Sequence, residues 1–278
     1  MRVLILGATG LLGKALVRAW TADEVLAMGS RDVDIRDSAK VREVVERARP
    51  DWVVLAAAYT DVDGCESHRE LAFSVNRDGA VNVARAARQA GARLIFLSSD
   101  YVFDGQKTSP YEVDDKRNPQ SVYGHSKAEA EINLLEILPT CCIARTSWVF
   151  GVGGRCFPDT IMRLAASRPA LDVVNDQRGC PTYTVDLARA IIQLCRKGVS
   201  GIVHVTNAGD CSWFEFAQEI VVGAGLATKV RPVSSQQMAR PAPRPAYSVL
   251  SATSLRRDGI EMPGWKDALG RYLQERKS

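Results

Sequence analysis

Short apolar runs alternate along this chain with longer stretches of helical period. Arg2 to Leu6, Val25 to Met28, Trp52 to Ala58, Leu94 to Ser98 and Cys141 to Arg145 read as strands. Between the first two, Leu12, Ala15, Leu16 and Ala19 recur at helical spacing within Leu11 to Trp20, which predicts a helix. This strand, helix, strand alternation predicts an α/β fold with a Rossmann-type doubly wound parallel sheet.

The rhythm loosens after about Phe150, where GVGG, the turn signals around Pro181 and the proline-dense RPAPRPAY (Arg240 to Tyr247) interrupt shorter elements. Residues 1–150 are therefore expected to form a dinucleotide-binding domain, and residues 151–278 mainly a smaller C-terminal substrate lobe. Residues 183–200 are the exception: Tyr183 to Lys197 reads as a helix that packs back on the sheet. The charged amphipathic segment Trp265 to Arg276 reads as a C-terminal helix closing over the fold, and it too is assigned to the first domain's surface. There is no internal repeat or low-complexity tract.

Composition narrows the class without changing it. The 278 residues, 46% of them hydrophobic, can bury a sizeable core. The formal charge of +4 arises from 36 basic and 32 acidic residues interspersed along the chain, so no tract points to nucleic acid. The opening MRVLILG runs straight into a strand without signal-peptide order, and no apolar run approaches membrane-spanning length. A cytoplasmic enzyme without membrane contact is expected, and a homodimer stays open. The seven cysteines form no CxxC pair or zinc-ligand spacing and read as reduced, structural thiols.

GATGLLG follows the first strand and opens the first helix, with Gly7, Gly10 and Gly13 where a tight turn, a bare backbone beside a pyrophosphate and close helix packing are required. Thr9, Leu11 and Leu12 belong to the same candidate cofactor loop. The second strand runs into Gly29, Ser30 and Arg31 with no carboxylate at its tip, which favours NADPH, with NADH as the alternative. Further along, Tyr123 and Lys127 are four residues apart, so a helix presents both on one face. A lysine ammonium near a phenol favours the phenolate and is expected to lower the Tyr123 pKa toward the range of a general acid. SSDYVFDG (Ser98 to Gly105) stands at the carboxyl end of the fourth strand, where open α/β sheets bind ligands. Ser99 is preferred over Ser98 as the carbonyl-binding hydroxyl, because Ser98 should alternate inward; Asp104 reads as the cap of the VFDG turn.

With these motifs, DVDIRD (Asp32 to Asp37), AAAYTDVDGCE (Ala56 to Glu66), YGHSKAEAE, RTSWVFG (Arg145 to Gly151), DQRGCPT (Asp176 to Thr182) and RPAYSVL (Arg244 to Leu250), the chain resembles, over nearly its whole length, the dTDP-4-dehydrorhamnose reductases of the extended short-chain dehydrogenases. The resemblance implies that Ser99, where the family usually carries Thr, polarises a keto oxygen, that Tyr123 is the acid, and that Lys127 tunes it while binding the nicotinamide ribose. It implies a cofactor wall of Asp34, Ile35, Ala56, Ala57, Ala58 and Tyr59, with Asn76 behind. It also implies substrate contacts from Ser99, Asp100, Val102 and Phe103, a sugar-ring contact from Trp148, and a diphosphate contact from Arg244. The implied reaction reduces the C4 ketone of a nucleotide-linked 6-deoxy-4-hexulose, giving dTDP-L-rhamnose from dTDP-4-dehydrorhamnose.

The chain also departs from that pattern. Cys156 stands where the family commonly has Asn before Phe157, which puts one polar sugar contact in doubt, and Ser251 replaces an Asp after SVL, an expected loss of a structural hydrogen bond. Lys14 and Ala15 occupy the stretch where some members carry an acidic metal ligand at a subunit contact, so no metal is expected. His68, His125 and His204 are scattered and read as solvated or core residues. Two other readings share the fold: a nucleotide-sugar epimerase or dehydratase, disfavoured because Tyr101 rather than an acid follows Asp100, and a regulatory subunit resembling the beta subunit of methionine adenosyltransferase.

Overall fold

Val3, Leu4, Ile5 and Leu6 are almost fully shielded from water, so the first strand must be covered on both faces. The computed structural model describes residues 1–277 and shows how. Strands β1 (Arg2–Leu6), β2 (Glu24–Met28), β3 (Trp52–Leu55), β4 (Arg93–Ser99), β5 (Cys142–Thr146) and β6 (Gly201–His204) form one sheet in the order β6-β5-β4-β3-β1-β2. All five pairings are parallel. The chain leaves β1 toward β2 and returns on its other side to β3, so the topological switch point, where such sheets bind ligands, lies at the C-terminal ends of β1 and β3.

Interspersed with the strands are the helices α1 (Leu11–Ala19), α2 (Ser38–Ala48), α3 (Ala80–Gln89), α4 (Val122–Ile137), α5 (Phe157–Ala165), α6 (Thr184–Lys197), α7 (Trp213–Gly223) and α8 (Trp265–Glu275). Leu16 of α1 and Leu187, Ile191 and Leu194 of α6 cover one face of the sheet, joining Val3, Ile5 and Val54 in one core. Val41, Val44, Val83, Ala87, Ala130 and Leu134 from α2, α3 and α4 cover the other, with Leu4, Leu6 and Phe96. The helix from residue 184 shares this core with the sheet, although it follows the lobe's first elements in sequence.

A third core belongs to the lobe. It gathers Phe150, Ile161, Phe216, Trp265, Leu269 and Tyr272 and lies against a parallel strand pair, Ala170–Val174 with Lys229–Val233. Helix α8 buries its apolar residues in this cluster rather than on the sheet, and Arg271 reaches back to Asp186 of α6 at 2.8 and 2.7 Å, tying lobe to sheet. Strand β3 stops at Leu55, three residues before the sequence pattern suggests; Ala56, Ala57 and Ala58 leave the sheet and become the wall of a cavity.

Candidate active site

At the switch point lies a cavity of about 430 Å³. Gly7, Thr9 and Gly10 line it from the turn after β1, Ser30, Asp34 and Ile35 from the loop after β2, and Ala56, Ala57 and Ala58 from the loop after β3. The glycines are required by contact. Gly7 has φ +93°, and a Cβ there would lie 2.4 Å from the Ala57 nitrogen; one on Gly13 would lie 2.1 Å from the Gly7 carbonyl oxygen. Gly13 thus brings α1 against the turn without itself lining the cavity. No side chain caps the N-terminus of α1, which leaves its first N–H groups free to meet an anion such as a pyrophosphate. Cradle, bare backbone and open helix end together fit a dinucleotide.

Other residues from the sequence set stand elsewhere. Leu11 packs with the lobe's cluster and Leu12 with the sheet's, and neither lines the cavity. Arg31 is exposed in the turn after β2 and also lies outside the lining. Arg36 lines it instead, and its guanidinium grips Asp34 (2.5 Å between Nη2 and Oδ2), which holds the Asp34 carboxyl below its usual range. Asn76 is a strut: its amide bonds Tyr59 through N–H and carbonyl at 2.8 and 3.1 Å and the Ser126 hydroxyl at 3.0 Å. Ser126 in turn donates to the Tyr123 carbonyl at 2.7 Å, so Tyr59, next to Ala58 of the cavity wall, and the first turn of α4 are one hydrogen-bonded unit, although neither Tyr59 nor Asn76 itself lines the cavity.

Helix α4 starts where Ser121 accepts the Gly124 N–H at 3.1 Å and Glu66 accepts the Val122 N–H at 2.8 Å. That fixes Tyr123 and Lys127 beside the end of β4. Alternation along β4 separates the two serines as expected: Ser98 donates inward to Glu131, and Ser99 donates to Asp100 Oδ1 at 2.9 Å. Burial pushes the Tyr123 phenol up; the neighbouring Ser99 hydroxyl pulls the other way, while the Asp100 charge adds to the rise. This corrects the expectation of a lowered phenol. The Lys127 ammonium donates to the Leu97 carbonyl at 2.6 Å, above the Phe96 ring (4.0 Å to its centroid), and burial lowers it to about 7, opposed by Glu131. Asp100, 2% exposed, is pushed up to about 6 by burial, against the Ser248 and Ser99 hydroxyls.

Two of the expected substrate contacts are core. Val102 and Phe103 are buried with Tyr111 and Leu250, and Phe103 stacks on Tyr111 with centroids 4.2 Å apart, because the turn that follows Asp100 sends these apolar side chains inward. Asp104 accepts from the Gln106 N–H, the Tyr111 hydroxyl and Asn118, as a turn cap does. Trp148 is half-buried, stacks on Trp213 and takes a left-handed backbone, φ +47°. Arg244 forms a two-pronged pair with Asp63 (3.0 and 2.9 Å), whose Oδ1 also accepts the Ala242 N–H at 3.2 Å.

The departures are resolved locally. The Cys156 thiol is buried among the Gly151 carbonyl, Asp159 and the Tyr272 hydroxyl, and burial raises it, so it packs the lobe. Ser251 accepts the Thr253 N–H at 3.2 Å and shares a hydrogen bond with the Thr253 hydroxyl at 2.8 Å. Lys14 donates to the Gly153 carbonyl at 2.6 Å, joining α1 to the GVGG loop. His204 is buried beside Arg145 and held near 3, chiefly by burial. Sequence reading missed Asp63, Trp213 and Glu131, whose partners come from distant segments.

The RmlD substrate binding domain model matches residues 1–278. A dTDP-4-dehydrorhamnose reductase of Mycobacterium tuberculosis is 41% identical over 98% of this chain and 92% of its own length. A crystal structure of a dTDP-4-dehydrorhamnose reductase from Clostridium acetobutylicum superposes with a TM-score of 0.98, at 37% identity and full coverage of both chains. That of a dTDP-4-dehydrorhamnose reductase from Bacillus anthracis, in complex with NADP, has a TM-score of 0.96 at 39% identity, covering 99% of each chain. Among the described residues, no helix is long and apolar enough to cross a membrane.

Proposed function

Because this chain belongs to the dTDP-4-dehydrorhamnose reductase family, we propose that it reduces the C4 ketone of a nucleotide-linked 6-deoxy-4-hexulose, with dTDP-4-dehydrorhamnose as substrate and dTDP-L-rhamnose as product. It is an NAD(P)H-dependent oxidoreductase acting on a small sugar nucleotide. The observation that carries the reading is the convergence of Ser99, Tyr123 and Lys127 at the end of β4, tied to the dinucleotide cavity through Tyr59, Asn76 and Ser126.

The reduced dinucleotide supplies the hydride. The chain's own part is to hold the ketone oxygen and deliver the proton. Ser99 hydrogen-bonds that oxygen, and Tyr123 gives it the phenolic proton as charge develops. A phenol raised by burial stays protonated at neutral pH, as a proton donor must. Lys127, anchored on Leu97, places a positive charge beside the phenolate that results. Trp148 takes the sugar ring, and Arg244 takes the diphosphate by exchanging Asp63 for phosphate oxygens.

Two finer points belong to the same reading. NADPH is preferred over NADH because the acid at the mouth of the cavity, Asp34, is neutralised by Arg36, whose guanidinium is then at hand for a 2′-phosphate. The enzyme works in the cytoplasm, where its substrate and reduced dinucleotide are found together. The regulatory-subunit alternative gives way to reductase-named relatives matched across the chain. The test is a panel of nucleotide 4-keto sugars with loss of reduced nicotinamide absorbance as the readout; turnover of dTDP-4-dehydrorhamnose is expected, and none with any member would overturn the reading.

A further inference from the structure

Glu131 lies one helical turn beyond Lys127 and two beyond Tyr123, so the three share a face of α4. Its carboxylate is wholly buried and fully used. Oε1 accepts from the Ser98 hydroxyl at 2.5 Å and Arg145 Nε at 2.9 Å; Oε2 accepts from Arg145 Nη2 at 2.7 Å and Arg117 Nε at 2.5 Å. Arg145 is itself completely buried. Ser98 sits in β4 between Leu97, whose carbonyl holds the Lys127 ammonium, and Ser99. A buried ion pair repays its desolvation poorly as a stabilising device, so its place behind the reacting groups asks for another explanation.

We propose that Glu131 is a positioning residue for the reduction: clamped by Arg145 and Arg117, it fixes Ser98, and through Ser98 it sets the Leu97 carbonyl under Lys127 and the Ser99 hydroxyl beside Tyr123. The inference rests on the reductase reading above. Glu131 also acts by charge. The Lys127 ammonium meets the Leu97 carbonyl and the Phe96 ring on β4 and the charge of Glu131 on its own helix; Arg145, backed by His204, and Arg117 adjoin it through Glu131. Glu131 is the group that opposes the burial of the Lys127 ammonium. Removing its charge leaves two guanidinium groups uncompensated, so the ammonium is lost at lower pH.

The test compares Glu131→Gln and Ser98→Ala with the wild type, measuring kcat/KM with dTDP-4-dehydrorhamnose and NADPH affinity, both against pH. Glu131→Gln is expected to lose about 10- to 100-fold in kcat/KM, and the alkaline limb of both profiles should move down by about one pH unit. Ser98→Ala keeps the ion pairs and is expected to lose about 3- to 10-fold in kcat with KM little changed. If Glu131→Gln fails to fold, a wild-type kcat in folded Ser98→Ala overturns the inference. Folded Glu131→Gln with wild-type rate and limb overturns it as well, since a purely structural residue would move the melting temperature alone. A wild type that turns over no substrate sinks the reductase reading instead, and the pH dependence of NADPH affinity still decides the role of Glu131.

Discussion

The indole of Trp148 lies flat on that of Trp213, with ring centroids 3.5 Å apart and planes 7° from parallel. The pair joins the end of β5 to the start of α7, and Gly179 packs so closely on Trp148 that a Cβ there would come within 2.5 Å of the ring. Trp148 holds this slot at the cost of a left-handed backbone, which a bulky residue rarely accepts. A strained residue kept at a candidate sugar site suggests that its placement serves binding.

Two truncations separate these effects. Trp148→Ala loses the ring and keeps the strain, whereas Trp148→Gly loses the ring and relieves it. The glycine variant is therefore expected to melt higher than the alanine variant, by the equivalent of about 1 kcal/mol, while both raise KM for the sugar nucleotide. An alanine variant as stable as the glycine one, or an unchanged KM in both, would contradict this account of Trp148.

Arg244 and Asp63 are about a fifth and a quarter exposed, but Asp63 has further partners in Arg240 at 3.5 Å and the Ala242 N–H, so losing Arg244 does not leave its carboxylate uncompensated. Arg244→Ala should accordingly leave the melting temperature within a few degrees of wild type. KM for dTDP-4-dehydrorhamnose is expected to rise at least about tenfold, the 1.4 kcal/mol scale of one lost charge-assisted contact, with NADPH affinity unchanged. A large stability loss with unaltered KM would return Arg244 to a purely structural role.

Arg36 lines the dinucleotide cavity and Arg31 does not. Arg36→Ala should reduce the ratio of kcat/KM with NADPH to that with NADH by about tenfold, since a hydrogen bond to a charged group is worth about 1.5–3 kcal/mol. Arg31→Ala should leave the ratio near its wild-type value. The reverse ranking would place the determinant in the turn after β2.

His204 is held neutral by burial beside Arg145, near 3 against an ordinary 6.5. The unfolded chain takes up a proton that the folded chain refuses, so the stability this residue supplies is present above about pH 6.5 and is lost as pH falls toward 3. Asp100, raised to about 6, works in the opposite direction between about pH 4 and 6, so only a comparison isolates His204. Melting temperatures from pH 4 to 8 are expected to fall less steeply in acid for His204→Gln than for wild type. Parallel curves would mean that His204 is not the acid-sensitive group.

Much of the architecture was legible because it rests on local signals. The apolar runs of β1, β3 and β4 and the period of α1 specify the sheet and its covering helices, and GATGLLG places the tight turn between β1 and α1 by steric need alone. Ser98 and Ser99 were separable because a strand has period two. What escaped was set by contacts across long separations. Asp63 meets Arg244 181 residues away, and nothing near either residue marks the pair. Val102 and Phe103 look like site residues because they adjoin Asp100, yet the turn there points them into the core with Tyr111 and Leu250. The state of Tyr123 was misjudged for a related reason: spacing shows that Lys127 shares its face, but not that the Leu97 carbonyl takes the ammonium and that burial dominates the phenol.

In the proposed mechanism Tyr123 protonates the C4 oxygen of dTDP-4-dehydrorhamnose while the dinucleotide is consumed in net reduction. The most direct measurement follows product and oxidised dinucleotide together, using NADPH deuterated at the transferred position, for wild type and Tyr123→Phe. The wild type is expected to form one dTDP-L-rhamnose carrying deuterium at C4 for each NADP+. Tyr123→Phe should bind NADPH normally and turn over about 10²- to 10⁴-fold more slowly. Product formed without net NADP+, or a Tyr123→Phe variant with the wild-type rate, would contradict it.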